Sequence, residues 1–139
     1  MSHAHEPVTL LMVEDDDVDA MSMARALRTW DLPHRMVRAC DGREALDLLA
    51  AGVVEAPYLI VLDLNLPRMG GHDFLEQIRA DPRWSHSIVF VYSTSDSPTD
   101  IARAQARHVA GYVVKQGAES DTRFVALLRD YCSVVRLRA

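Results

Sequence analysis

The sequence is poor in the features that mark several large protein classes. Cysteine is scarce: Cys40 and Cys132 are its only two, far apart in the chain, and they make neither a disulfide framework nor a metal-ligand spacing. Basic charge is not in excess, since 15 Lys and Arg face 20 Asp and Glu for a net charge of −5. That balance argues against nucleic-acid binding, which normally leaves a basic stripe. No apolar run approaches the ~20 residues a membrane helix needs, and the opening MSHAHEP lacks the basic end and apolar middle of a signal peptide. The chain is therefore expected to be cytoplasmic, without a membrane or nucleic-acid partner. Repeats, low-complexity segments and a linker to a second domain are all missing, and 139 residues suit one domain with a real core. The six histidines show no ligand spacing and default to the surface. The two thiols are expected to be buried or at an interface, without redox work.

What the chain does have is alternation. Short apolar runs at Val8–Val13, Arg35–Ala39, Tyr58–Leu62, Ile88–Tyr92 and Gly111–Val114 read as strands covered on both faces. Between them, Asp17–Thr29, Arg43–Ala51, Gly71–Ala80 and Pro98–Val109 read as helices, and Glu119–Val135 follows the last strand. In that final segment Phe124, Leu127, Leu128, Tyr131 and Val135 recur on one helical face. Turn signals fall at Asp41-Gly42, Asp81-Pro82, Ser97-Pro98 and Gly117. Five βα units predict a doubly wound α/β fold, a five-stranded parallel sheet with right-handed crossovers flanked by five helices. The first seven residues are expected to be flexible, with one domain from residue 8 to the end.

In such a sheet, ligands bind beyond the carboxyl ends of the strands, so the residues just after each strand carry the argument. The first strand runs into VEDDDVD, five carboxylates within Glu14 to Asp19. Like charges about 4 Å apart repel by roughly 4 kcal/mol at an effective dielectric near 20, so acids gathered there imply a cation or a helix start. The third strand ends in LDLNLP, with Asp63 at its tip; the fourth ends in Ser93, Thr94 and Ser95; the fifth delivers Lys115. The second, ending in Asp41-Gly42, offers only a turn. Mg²⁺ prefers six oxygens and is commonly held by one or two carboxylates plus water and phosphate. Asp15 and Asp63 are natural direct ligands, with Glu14 or Asp16 supporting through water. A carboxylate beside Mg²⁺ can also attack phosphorus, and phosphoryl transfer asks mainly for positioning and charge neutralisation, which Lys115 and the Ser93 hydroxyl can share. Asp17 and Asp19 suit the first turn of a helix.

The ordered set Glu14-Asp15, Asp63 in LDLNLP, Ser93, and Lys115 after AGYVVK resembles the receiver domain of two-component response regulators. The likeness spans Val8 to Val135 and implies the flavodoxin/CheY-like strand order 2-1-3-4-5. More narrowly, LDLNLPRMGGHDFLEQIRADP, STS…DI and LLRDYCSVVRL resemble single-domain regulators that partner phytochrome-type histidine kinases. The resemblance implies Asp63 as phosphoacceptor; Glu14 and Asp15 as the acidic pair, Asp15 bound directly to Mg²⁺; Asn65 as a backbone-carbonyl ligand; Ser93 as the switch hydroxyl, with Thr94 the fallback; Tyr112 as the rotating aromatic; and Lys115 as the phosphate-pairing lysine. Asp16 stays divided between helix start and outer metal shell.

Two residues depart from the family pattern. Gln116 stands where proline is usual after the lysine, often behind a cis bond. Because a cis bond before a non-proline costs about 2.5–4 kcal/mol, a trans peptide is expected there. Ile88 replaces a proline common at the start of the fourth strand.

The implied function is a stand-alone regulator that takes a phosphoryl group from a sensor histidine kinase and loses it by hydrolysis, with no output domain. It is not a dedicated enzyme, and output would pass to a protein contact, a histidine phosphotransfer partner or a phosphate sink. Small Ser95 leaves water access and predicts moderately fast autodephosphorylation. The overlong last helix (Val134, Val135, Leu137), with Arg103 and Arg107 facing acids such as Asp130, predicts a homodimer through the fourth helix, fifth strand and fifth helix. The alternatives are a phosphorylation-independent interaction module on the same scaffold, and a flavin-binding relative, which five acids after the first strand disfavour.

Overall fold

A computed structural model describes residues 7–135, with Ala118 described through its backbone alone. Along the chain lie β1 (Val8–Val13), α1 (Asp17–Leu27), β2 (His34–Ala39), α2 (Gly42–Ala50), β3 (Tyr58–Leu62), α3 (Gly71–Ala80), β4 (Ile88–Ser93), α4 (Pro98–Ala106), β5 (Gly111–Val114) and α5 (Ala118–Val134). The five strands are parallel in the order β2-β1-β3-β4-β5, the predicted topology. The continuous apolar runs follow from side chains alternating across a sheet covered on both faces. Leu11, Val13, Ile60, Leu62, Val89 and Val91 pack beneath α2, α3 and α4. Their neighbours Leu10, Met12, Leu59, Val61, Phe90 and Tyr92 pack beneath α1 and α5.

Helix starts are set locally. Asp16 caps α1 by accepting the Asp19 N–H at 2.9 Å, Asp41 caps α2 by accepting the Glu44 N–H at 2.8 Å, and Ser97 with Pro98 opens α4, each a favoured N-terminal arrangement. The ends differ from expectation by one to three residues. α1 stops at Leu27 because Thr29 and Trp30 close tighter turns onto Ala26 and Leu27. α4 stops at Ala106 because His108 adopts a φ of 60°. In α5 the sheet-facing stripe is Phe124, Val125 and Leu128, whereas Leu127 is 38% exposed and Val135 already lies beyond the helix. Phe124 and Tyr131 both meet Phe90 edge to face, so Phe124, Leu128 and Tyr131 of the predicted face pack on the sheet, with Val125 buried there in place of Leu127.

β2 is the other departure. It forms one edge of the sheet, and only Ala39 of its six residues is buried, so it is covered less than a central strand. His34 extends it by one residue and stacks on Trp30, centroids 5.0 Å apart. Cys40 and Cys132 are both half-buried free thiols. No helix among the described residues is long and apolar enough to cross a membrane. Residue 137 and the first six residues lie outside the described range.

Candidate functional site

β1 and β3 end level, Val13 opposite Leu62. Asp63 donates its N–H to Val13 O at 3.1 Å, and Glu14 donates to Ala39 O at 2.9 Å. Sheet register therefore brings the acids after the two strands together: Glu14, Asp15 and Asp63 each offer a carboxylate oxygen within 4.8 Å of the others. Glu14 is buried, Asp15 exposed, and Asp63 8% exposed. From β5, Lys115 donates its backbone N–H to Ser93 O at 2.8 Å. Its ammonium contacts Glu14 Oε1 and lies 3.3 Å from Asp19 Oδ2 and 3.5 Å from Asp63 Oδ2. Burial, together with the charge of Asp63, pushes Glu14 up to about 7 against the opposing pull of Lys115. Burial alone would lower Lys115, but its hydrogen bond to Glu14 and the charge of Asp63 hold it above its ordinary value. Three acids and one ammonium leave local negative charge, which attracts a cation.

The donor set fits a hard divalent ion. Octahedral oxygens around Mg²⁺ sit about 3 Å apart in cis and about 4 Å in trans, and these three carboxylates each place an oxygen within 4.8 Å of the others. Glu14 has both oxygens engaged, one by Lys115 and the other by the Asp16 N–H at 3.1 Å, whereas Asp15 is exposed. Of the three, Asp15 and Asp63 therefore have the carboxylate oxygens freer to bind an ion, and Glu14 the less free. Asp16 spends a carboxylate oxygen on its helix cap. Asp17 pairs with Arg38 at 2.7 Å. Asp19 does more than open a helix, because it also contacts Lys115.

The loop after β3 is held by a backbone hydrogen bond, a close glycine approach and a buried ion pair. Asn65 donates its N–H to Asp63 Oδ1 at 3.1 Å, an Asx-type turn. Gly71 sits so close to the strand end that a Cβ would lie 2.5 Å from Asp63 O and 2.7 Å from Leu64 Cα. Asp41, expected to be only a turn, is 2% exposed and receives the Arg68 guanidinium as well as the Glu44 N–H. Arg68 has a left-handed φ of 58°. Beside it the Gly42 N–H reaches Met69 O at 3.1 Å, and a Cβ on Gly42 would meet Phe74 Cβ at 2.8 Å. The signal for the cap, though not for the Arg68 pair, was available in the pattern Asp41-x-x-Glu44.

At the end of β4, Ser93 is buried and its Oγ accepts the Ser95 N–H at 3.3 Å. Thr94 is exposed and lines a cavity on the far side of Lys115, so the register keeps Ser93, not Thr94, in the sheet interior. Ser95 Oγ donates to Asp100 Oδ2 at 2.5 Å, and Asp100 Oδ1 lies 3.0 Å from His72 Nε2. His72 is thus half-buried and engaged rather than a surface histidine. Tyr112 packs against the core and donates its hydroxyl to Ser95 O at 2.8 Å. The one cis peptide among the described residues is Ala56–Pro57, so Lys115–Gln116 is trans as expected. The Arg107 guanidinium lies 3.6 Å from Glu76 on α3 of the same chain, an exposed pair.

A family model described as the response regulator receiver domain matches residues 10–126. FilR2 of Methanothrix harundinacea, a probable methanogenesis regulatory protein, is 35% identical over 132 residues, spanning 92% of this chain and 85% of its own length. The response regulator Rcp1 of Synechocystis is 32% identical over 116 residues, 81% of this chain and 79% of its own. Among solved structures, the phosphorylated cyanobacterial phytochrome response regulator RcpA is similar at a TM-score of 0.86 and 30% identity, over 96% of this chain and 100% of that one. The Mn²⁺-bound form of Rcp1 follows with a TM-score of 0.79 at 30% identity and the same coverage.

Proposed function

This chain belongs to the response regulator receiver domain family, and from that membership we propose that Asp63 accepts a phosphoryl group from the phosphohistidine of a sensor kinase. The observation that carries the reading is the meeting of Asp63 with Glu14, Asp15 and Lys115 at one strand edge. A carboxylate oxygen of Asp63 attacks phosphorus as the P–N bond of the donor breaks, the electron pair returning to the imidazole. Mg²⁺, when held by Asp15, Asp63 and the Asn65 carbonyl, supplies charge neutralisation for the oxygens in transfer. Lys115 then pairs with the phosphoryl group, Ser93 turns its hydroxyl toward it, and Tyr112 follows by rotation. Water attack on phosphorus later breaks the P–O bond, releases phosphate and restores the carboxylate. Intact mass after incubation with acetyl phosphate tests this. A gain of one phosphoryl group that needs Mg²⁺ and is absent in Asp63→Asn supports the proposal; a folded protein that shows no gain from this donor or from a histidine kinase overturns it.

Similarity to RcpA and Rcp1 supports a phytochrome-type histidine kinase as donor, with a histidine phosphotransfer protein as a further partner. Exposed Leu127 and Val134, the latter 83% exposed on α5, support a homodimer through α4, β5 and α5. Sedimentation velocity at micromolar concentration is expected to show the dimer, and monomer alone, with or without beryllofluoride, removes it. Ser95 turns its hydroxyl to Asp100 and adds no bulk beside Asp63, which favours water attack. Ser95→Glu should lengthen the phosphoryl lifetime several-fold, and an unchanged decay by mass would count against that role.

A further inference from the structure

Lys115 sits beside open space. A cavity of about 290 Å³, bordered by Glu14, Asp19, Tyr92, Thr94 and Asp121, lies along its side chain, so packing does not fix the ammonium from that direction. What borders the cavity instead is a run of hydrogen bonds. The Gln116 N–H donates to Ser120 Oγ at 3.1 Å, Ser120 Oγ lies 2.6 Å from the Tyr92 hydroxyl, and that hydroxyl donates to Asp121 Oδ1 at 2.5 Å. Ser22 on α1 donates to the other oxygen of Asp121.

Counting protons orients the run. A hydroxyl has one proton and two lone pairs, and a carboxylate only accepts. Asp121 takes the Tyr92 proton, so the single Ser120 proton lies between two acceptors, the Tyr92 oxygen at 2.6 Å and Gly117 O at 2.7 Å. That leaves the Ser120 lone pair to the Gln116 N–H. The Gln116 N–H and the Tyr92 O–H both point from the loop toward the carboxylate, an arrangement in which successive bonds polarise one another. Proline at position 116 would have no N–H to begin it. The ring of Tyr92, stacked on Phe124 with centroids 4.5 Å apart, also lies 5.5 Å beneath the Lys115 ammonium.

We propose that Tyr92, Ser120 and Asp121 are positioning residues for Lys115: their hydrogen-bonded run fixes the loop after β5 through the Gln116 N–H, and the Tyr92 ring seats the ammonium that faces Asp63. The inference rests on the reading of Asp63 as phosphoacceptor. A hydrogen bond between neutral groups contributes about 1 kcal/mol net, equivalent to roughly fivefold in rate, and the run acts as one unit, so its losses do not add.

The test uses the full chain and three variants: Tyr92→Phe, which keeps the stacked ring, Ser120→Ala and Gln116→Pro. The rate of Mg²⁺-dependent phosphorylation by acetyl phosphate, the affinity for beryllofluoride and the affinity for Mg²⁺ are measured together. Each variant should lower the rate and the beryllofluoride affinity about fivefold with Mg²⁺ affinity unchanged, and Tyr92→Phe with Ser120→Ala should be no worse than either alone. In a Lys115→Met background, Tyr92→Phe should change nothing further, which separates action through the lysine from a general loss of stability. Wild-type rates in folded variants overturn the inference, as does a parallel fall in Mg²⁺ affinity. If wild type itself is not phosphorylated, the acceptor reading fails and this one with it.

Discussion

Two aspartates follow the strands on either side of β1 and meet opposite circumstances. Asp63 follows β3 and Asp41 follows β2 by one residue more; both are nearly buried, at 8% and 2% exposure. Asp41 is fully provided for: the Glu44 N–H caps it and the Arg68 guanidinium pairs with it. The Glu44 N–H, aided by Arg68 against the effect of burial, holds its carboxyl below the ordinary carboxylate range. Asp63 instead faces two more carboxylates and shares one ammonium with Glu14 and Asp19. A buried charge is tolerable when paired and hydrogen-bonded and costly when it is not. The same residue type after two strands of one sheet is thus a structural bolt in one place and a member of a crowded acidic cluster in the other. The difference lies in what surrounds each carboxylate, not in its depth.

The largest test of that contrast exchanges the two roles. Asp63→Asn should abolish phosphoryl gain while leaving metal-free thermal stability equal or higher, because it removes one of three crowded charges. A clear drop in stability would place Asp63 in the same class as Asp41. The next effect is that of the ion. A ligand that binds only the folded state stabilises by about 2.7 kcal/mol at a hundred times its dissociation constant. Thermal unfolding of wild type should therefore shift upward with Mg²⁺, and Asp15→Asn should lose most of the shift. Equal shifts in both would mean that Asp15 is not a direct ligand.

Most of the site could be read from the chain because it follows from strand ends. Once five parallel strands are recognised, Glu14, Asp15, Asp63, Ser93 and Lys115 must share one edge, and the apolar runs mark those strands plainly. What could not be read was lateral. That Asp41 pairs with Arg68, and His72 with Asp100, depends on how loops from different βα units meet, and no periodicity carries that information. One position of the α5 face was hidden for a related reason: Leu127 and Val125 are both apolar, and only the packed fold shows that Val125 is buried and Leu127 is 38% exposed. Of the five acids after β1, sequence grouped Glu14 and Asp15 with Asp63 and set Asp17 at a helix start, but the cap on Asp16 and the reach of Asp19 to Lys115 needed the fold.

The smallest effect belongs to Asp41, and pH gives it a sign. Because its folded-state value lies below the ordinary 3.8, the folded protein holds fewer protons here than the unfolded chain at acid pH. The contribution is complete above 3.8 and is lost as pH falls through the lower folded value. Asp41→Ala removes a capping oxygen and the Arg68 partner, and should cost about 1–2 kcal/mol at neutral pH while phosphoryl gain at Asp63 persists. Asp41→Asn keeps a good cap and removes the charge, so it should cost less and flatten the acid limb of the stability curve. Denaturant unfolding of the three proteins from neutral pH down to about pH 3 decides the matter. If the acid limbs coincide, the Arg68 pair contributes nothing, and the contrast between the two aspartates narrows to the cap alone.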